Sequence, residues 1–350
     1  MSSIDQPSFR NQLGELADLI VAKQYALQPE IWKPYDHPGR EKSVRDAGYH
    51  LSYLAEAIEA DDPALFSEYL AWVKVLFIGL KFPTYVLPTT LECTRQVLAE
   101  RLSAETRARA LEILDYGTRS LDNAPVNLPS FIAGNSLVDN LARQYLELLL
   151  NGDRRTASQL ILDGVRDGIS VKSIYAQVFQ PSQRELGRLW QTNQISVAQE
   201  HFCTAATQMI MSQLYPYIFS GEHKDRRLVA ACVGGELHEI GARMVADFFE
   251  MEGWDTYFLG ANTPPETVIQ TVAERQADVL ALSATMTYHV SKVTEIITSL
   301  RASGASPKTR ILVGGYPFNL SSELWMRIGA DGYAPDAESA ILEAERVLLI

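Results

Sequence analysis

The stretch Leu228-Val229-Ala230-Ala231-Cys232-Val233-Gly234-Gly235-Glu236-Leu237-His238-Glu239-Ile240-Gly241 decides the fold. Residues 228–233 are apolar and run into a glycine pair, which reads as a short buried strand meeting a turn. A helical pattern over 237–251 follows at once. Downstream, short β-rich runs recur at 256–259, 279–283, 310–313 and 332–334. Helical stretches at 265–275, 290–301 and 321–328 separate them, and a last one starts near Glu338. Strands alternating with helices imply a doubly wound parallel sheet. Such sheets bind ligands beyond the carboxyl ends of their strands. His238 therefore stands at the mouth of the first strand, where a ligand would lie. Glu236 can reach its second ring nitrogen, fix the tautomer and raise its basicity, as carboxylates do for metal-bound imidazoles. Gly241 removes side-chain bulk beside it and lets a planar ligand lie close to the backbone.

Outward from this segment, the rest of the chain reads as helical. Residues 1–125 carry helical periodicity over 9–25, 45–59, 63–77, 90–101 and 103–116, with Asp62-Pro63 as a helix start and Pro83 and Pro88 bracketing a break. The turn-rich stretch 120–130, SLDNAPVNLPS, marks a domain boundary. Residues 130–222 hold four helices of bundle length, divided at 151–153, 167–168 and 192–195. Ser196 through Gln199 fits a capping box. Three domains are expected: 1–125, 130–222 and 226–350.

The 350 residues are 47% hydrophobic and 21% charged, a globular composition with no apolar run near the ~20 residues of a membrane span. The first twelve residues show no basic flank and no apolar stretch, so no secretory leader is expected. A net charge of −12 disfavours nucleic acid, and the densest basic stretch, Lys224, Arg226 and Arg227, contains Asp225. Cys93, Cys203 and Cys232 are odd in number and widely spaced, which suggests neither a disulfide framework nor a zinc site and fits a reducing cytoplasm.

The order His238, Gly241, then Ser283 and Thr285, then Gly314-Gly315, resembles the cobalamin-binding signature Asp-x-His-x-x-Gly with its Ser-x-Leu and Gly-Gly segments. The resemblance spans about 110 residues. It implies a flavodoxin-like domain in which His238 replaces the dimethylbenzimidazole as lower axial ligand of cobalt. The displaced nucleotide tail would thread between sheet and helices, with Gly332-Tyr333-Ala334 as a last contact. Gly234, Leu237, Glu239 and Ile240 complete the expected contact set. Glu236 stands where the signature has Asp; the charge is kept and the reach is longer.

Trp190, nine residues, then Glu200-His201 resembles the Trp-x9-Glu-His motif of CarH-type light-sensing domains, which bind adenosylcobalamin. The resemblance implies an upper-face cap in which Trp190 and Val197 pack against the upper ligand and Glu200 with His201 hold it. An aromatic wall shields a nucleoside, and a carboxylate accepts from ribose hydroxyls. Gln191 stands where those sensors carry a second cobalt-capturing histidine.

A helical domain, a four-helix cap and a cobalamin domain, in that order, resemble the photocobilins, photoreceptors that pair B12 with biliverdin. That implies a globin-like N-terminal domain, with Tyr49, His50, Tyr53, Trp72, Lys74 and Tyr85 near the bilin, and Cys93 as either a thioether site or a packing residue. The expected function is a cytoplasmic light sensor. Photolysis of the cobalt–carbon bond would change a homo-oligomer or engage a downstream output protein, without nucleic acid or membrane. The alternative is a corrinoid protein that carries methyl groups for a methyltransferase; neither reading makes the chain itself an enzyme.

Overall fold

The computed structural model describes residues 9–33, 37–219 and 222–349. Tyr35 and residues 1–8, part of the stretch read for a leader, lie outside them. The chain divides into two compact units, Met1–Val126 and Asn127–Ile350.

The first unit is helical. Its long helices are Leu13–Leu27, His37–Glu59, Pro63–Gly79, Val86–Arg101 and Ala104–Ser120. Leu16, Ile20, Leu51, Leu54, Phe66 and Leu70 form its dry interior. Asp62 caps the third of these helices by accepting from the Ala64 amide, as the Asp-Pro pair predicts. Two boundaries differ from the sequence reading. Pro88 does not break the chain but sits in the first turn of Val86–Arg101, where a missing N–H costs nothing. The second helix begins at His37 rather than 45, through a polar first third that lacks the periodic apolar signal.

The second unit joins a helical bundle to a parallel sheet. Leu137–Leu150, Arg154–Arg166, Gln180–Gln191 and Val197–Gln213 are the bundle helices. Gln180–Gln191 continues a π-helical turn, Tyr175–Phe179, that aims two aromatics inward. Both hydrogen bonds of the Ser196–Gln199 capping box are present.

The sheet contains β1 (Arg227–Cys232), β2 (Asp255–Phe258), β3 (Val279–Ser283), β4 (Arg310–Gly314) and β5 (Gly332–Tyr333). All pairings are parallel, in the order β2-β1-β3-β4-β5. This is the flavodoxin-like arrangement, and its order reverses at β1. The loops after β1 and β3 therefore part at the carboxyl edge and open a crevice. The helix after β1 starts at Ile240, not 237, because the His238 amide is taken by the Glu236 side chain. Of the stretch read as a helix over 321–328, only Leu324–Arg327 is helical, and a separate short helix, Tyr316–Leu320, precedes it.

Bundle and sheet share one core. Tyr175 and Phe179 of the π-helical turn pack in the same buried cluster as Phe248 and Phe249 of the Ile240–Met251 helix. The Tyr175 hydroxyl donates to Asp247 Oδ2 at 2.8 Å in that core. Burial pushes the Asp247 carboxyl up to about 6, although Tyr175 and Arg243 pull the other way. The folded state thus binds this proton more tightly than the unfolded chain, whose reference value is 3.8. The penalty is absent below both values and grows as pH rises through that window, reaching about 3 kcal/mol at ~1.4 kcal/mol per pKa unit. We expect Asp247→Asn, which still accepts from Tyr175, to gain that stability over the parent at pH 7 and almost none at pH 3.5. Denaturant midpoints of the two proteins across that range measure it.

Candidate functional site

The site is built around a carboxylate that has no contact with solvent. Glu236 is 0% exposed and follows the Gly234-Gly235 turn that ends β1. Its Oε1 accepts from the His238 amide at 3.0 Å and faces His238 Nδ1 at 2.5 Å. Its Oε2 accepts from the amides of Thr285 at 2.7 Å and Met286 at 2.9 Å, in the loop after β3. His289 Nδ1 lies 3.1 Å from the same oxygen. Burial alone would push this carboxyl up. The hydrogen bonds from His238, His289 and the Met286 amide, with the His238 charge, outweigh it and hold the carboxyl well below the usual range.

His238 is the exposed end of this arrangement. Its side chain is 59% exposed, so one ring edge rests on Glu236 and the other is open. The hydrogen bond to Glu236 raises its basicity against the effect of burial, and the Glu200 carboxylate of the bundle adds to the rise. An imidazole with a carboxylate on Nδ1 has its lone pair at Nε2. Among the described residues no group of three or more His, Cys, Asp or Glu could hold a bare metal ion. The donor set instead suits a metal that arrives with its equatorial ligands, as cobalt does in a corrin. Cys232, at the end of β1, is no competitor: burial and the nearby Glu236 and Glu239 push its thiol up to about 12.

The neighbouring residues divide by what they touch. A Cβ at Gly241 would meet nothing within 4 Å, so the space at that position is open. At Gly315, with φ +109°, a Cβ would lie 2.0 Å from the Ala284 carbonyl. That glycine admits close approach of two loops. A Cβ at Gly332 would strike Leu312 and Glu343, and one at Gly314 would lie 3.2 Å from the Ala334 carbonyl. Tyr333 donates to Asn319 Oδ1 at 2.8 Å. Ser283 ends β3, and Thr285 meets Glu236 through its amide. Glu239 accepts from Gln208 at 2.5 Å and from the Ala261 amide at 2.9 Å, tying the Val197–Gln213 helix to the loops after β1 and β2. Ile240 is buried, and Leu237 is an exposed aliphatic side chain.

In the bundle, Trp190 is half-buried near the end of its helix. Glu200, in the first turn of the next helix, accepts from Thr204 at 2.8 Å and lies 3.5 Å from His201 Nε2. His201 and Val197 are exposed, and Gln191 is buried. In the first unit, Tyr53 stacks on Tyr69 at 3.6 Å, and Tyr69 on Trp72 at 6.5 Å. His50 Nδ1 meets the Tyr69 hydroxyl at 2.7 Å, and burial lowers its pKa to about 4, so it is neutral. Lys74 donates to the Leu121 and Ala124 carbonyls, Cys93 is buried, and Tyr49 and Tyr85 are exposed. Sequence reasoning missed His289; its only signal is a histidine six residues past the end of β3.

Two stretches match the family described as "B12 binding domain": residues 226–342 and residues 141–215. The chain is 30% identical to dimethylamine corrinoid protein 3 of Methanosarcina mazei over 122 residues, 35% of this chain and 71% of that protein. It is 30% identical to dimethylamine corrinoid protein 2 of Methanosarcina acetivorans, of whose length it spans 56%. A corrinoid protein of Desulfitobacterium hafniense is 25% identical over 61% of this chain and 98% of its own. In fold, the structure is similar to the monomethylamine corrinoid protein of Methanosarcina barkeri, with TM-score 0.53 and 19% identity over 60% of this chain and 98% of that one.

Glu236→Ala removes the common partner of two imidazoles and three backbone amides. We expect it to destabilise the ligand-free second unit by about 3–5 kcal/mol, as when one member of a buried ionic network is lost. A urea titration followed by far-UV circular dichroism reads this; a loss below 1 kcal/mol would contradict the network.

Proposed function

Because the chain belongs to the B12-binding family of corrinoid proteins, and so is a cobalamin-binding protein, we propose that it carries methyl groups on cobalt for a methyltransferase partner. The observation that carries the reading is the open Nε2 of His238, held by buried Glu236 at the carboxyl edge of the sheet. The 30% identity to the dimethylamine corrinoid proteins favours methyl transfer as the chemistry. A bound corrinoid supplies a cobalt centre that makes and breaks a bond to carbon on its upper face.

The chain's own residues do the rest. His238 would hold the metal through its open Nε2, and Glu236 keeps the proton on Nδ1. Gly241 would leave room for a flat ring, and Ser283, Gly314 and Tyr333, at the carboxyl edge of the sheet, would hold the rest of the group. Glu239 ties the bundle over this edge through Gln208. Trp190, Val197, Glu200 and His201 would hold the group from the bundle side. Val197 and His201 are exposed and so reachable by a partner.

A second reading is the light sensor, with adenosylcobalamin under the cap and biliverdin in a globin-like first unit. Two observations favour it. Trp190 lies in the last turn of one bundle helix and Glu200-His201 near the start of the next, after a capped turn. The first unit stacks Tyr53, Tyr69 and Trp72 beside a neutral His50.

One set of measurements tests both. His238→Ala is expected to weaken cobalamin binding more than tenfold, at least ~1.4 kcal/mol, and to abolish the imidazole-bound absorption spectrum. Unchanged binding and colour would overturn the site. Loaded with methylcobalamin in the dark, the protein is expected to transfer methyl to a thiol acceptor. If transfer is absent, and green light instead changes the elution volume of the adenosylcobalamin-loaded protein with a red-absorbing species on adding biliverdin, the sensor reading replaces the carrier.

A further inference from the structure

We propose that His289 is a positioning residue for the axial imidazole: acting through Glu236, it fixes the ring orientation and tautomer of His238. The inference rests on His238 being the cobalt ligand.

His289 is 7% exposed and sits at the end of the Thr287–His289 turn, where the Val290–Ser303 helix begins. It belongs to neither the β1 loop nor the signature segments read from the sequence. The count of donors at Glu236 shows what it adds. An ionised carboxylate offers about four lone-pair positions and donates nothing. Five donors converge on this one: two from His238, two amides from Thr285 and Met286, and the His289 ring. All five need a hydrogen, so both imidazoles carry theirs on Nδ1. The lone pair of His238 is then at Nε2, on the open side.

The two amides come from adjacent residues in the loop after β3, and His289 adds a side-chain donor to the same Oε2 from the turn that follows. With all three in place the carboxylate plane cannot rock, and Oε1, which steers His238, stays still. Thr285 meets the carboxylate through its backbone amide, and the side-chain donor beyond β3 is His289.

The surroundings reserve room for this ring. Gly235 has φ +85°, and a Cβ there would lie 3.0 Å from His289 Nε2. Tyr288 packs edge-on at 4.4 Å between centroids.

The test uses the full chain loaded with cob(II)alamin in the dark. The readout is the doublet splitting from histidine labelled with nitrogen-15 in its electron paramagnetic resonance spectrum, which the cofactor's own base does not give, with cobalamin affinity measured alongside. His289→Leu is expected to bind cobalamin 10- to 100-fold more weakly and to show reduced splitting, the range found when outer partners of metal ligands are lost. His289→Asn places an amide N–H near the Nδ1 position and is expected to keep both. His289→Gln places it near Nε2 and is expected to resemble His289→Leu. Wild-type splitting and affinity in a folded His289→Leu would overturn the proposal. If that variant does not melt cooperatively, Asn and Gln decide, and equal behaviour of those two overturns it. His238→Ala separates the layers. If it retains the splitting, the axial-ligand reading itself fails. If it loses the splitting while His289→Leu keeps it, only the role of His289 fails.

Discussion

The buried Glu236 carboxylate ties the loop after β1 to the loop after β3, and the geometry of the carboxyl edge depends on that tie. A carboxylate with no solvent contact persists only where its lone pairs are filled. Here they are filled from two loops at once, by His238 on one side and by Thr285, Met286 and His289 on the other. Satisfying the charge therefore sets the distance between loops that the strand order would otherwise let diverge. The same constraint delays the next helix until Ile240 and leaves His238 on a short turn, with its ring presented outward.

The bundle is held over this edge by a different kind of contact. Its π-helical turn and the helix after β1 share an apolar core, with the Tyr175–Asp247 hydrogen bond inside it. Closer to the site the contacts are polar: Gln208 on Glu239, and Arg243 on Ser212 at 3.0 Å. The apolar part anchors the helices at the far end. The polar part near the ligand edge is weaker, since such hydrogen bonds contribute about 1 kcal/mol each net of water, up to about 3 where one partner is charged. The bundle is thus held more loosely at the carboxyl edge of the sheet than in the shared core.

The first unit has its own interior and its own helix signals, and the two stretches matching the B12-binding family, 141–215 and 226–342, lie within the second unit. Its stacked Tyr53, Tyr69 and Trp72 and the neutral His50 are a feature of that unit alone. Lys74 and Cys93 are drawn into structural roles there, one closing carbonyls after a helix and the other packed in the interior.

Much of this architecture was legible in the sequence because it depends on local pattern. Short apolar runs separated by helical periods specify a parallel sheet, and Glu236 two residues before His238 places a carboxylate within reach of the ring. Asp62-Pro63 and Ser196–Gln199 announce helix starts because caps satisfy amides a few residues away. Pro88 escaped that reading because a first-turn proline lacks only an amide the helix does not use, and the start of the His37–Glu59 helix because its polar residues carry no periodic apolar signal. His289 escaped it for a stronger reason. Its partner is 53 residues earlier in the chain, and only the parallel pairing of β1 with β3 brings the two loops together. Spacing along a sequence records contacts within a turn or a helix; a buried carboxylate collects its donors from wherever the sheet places them.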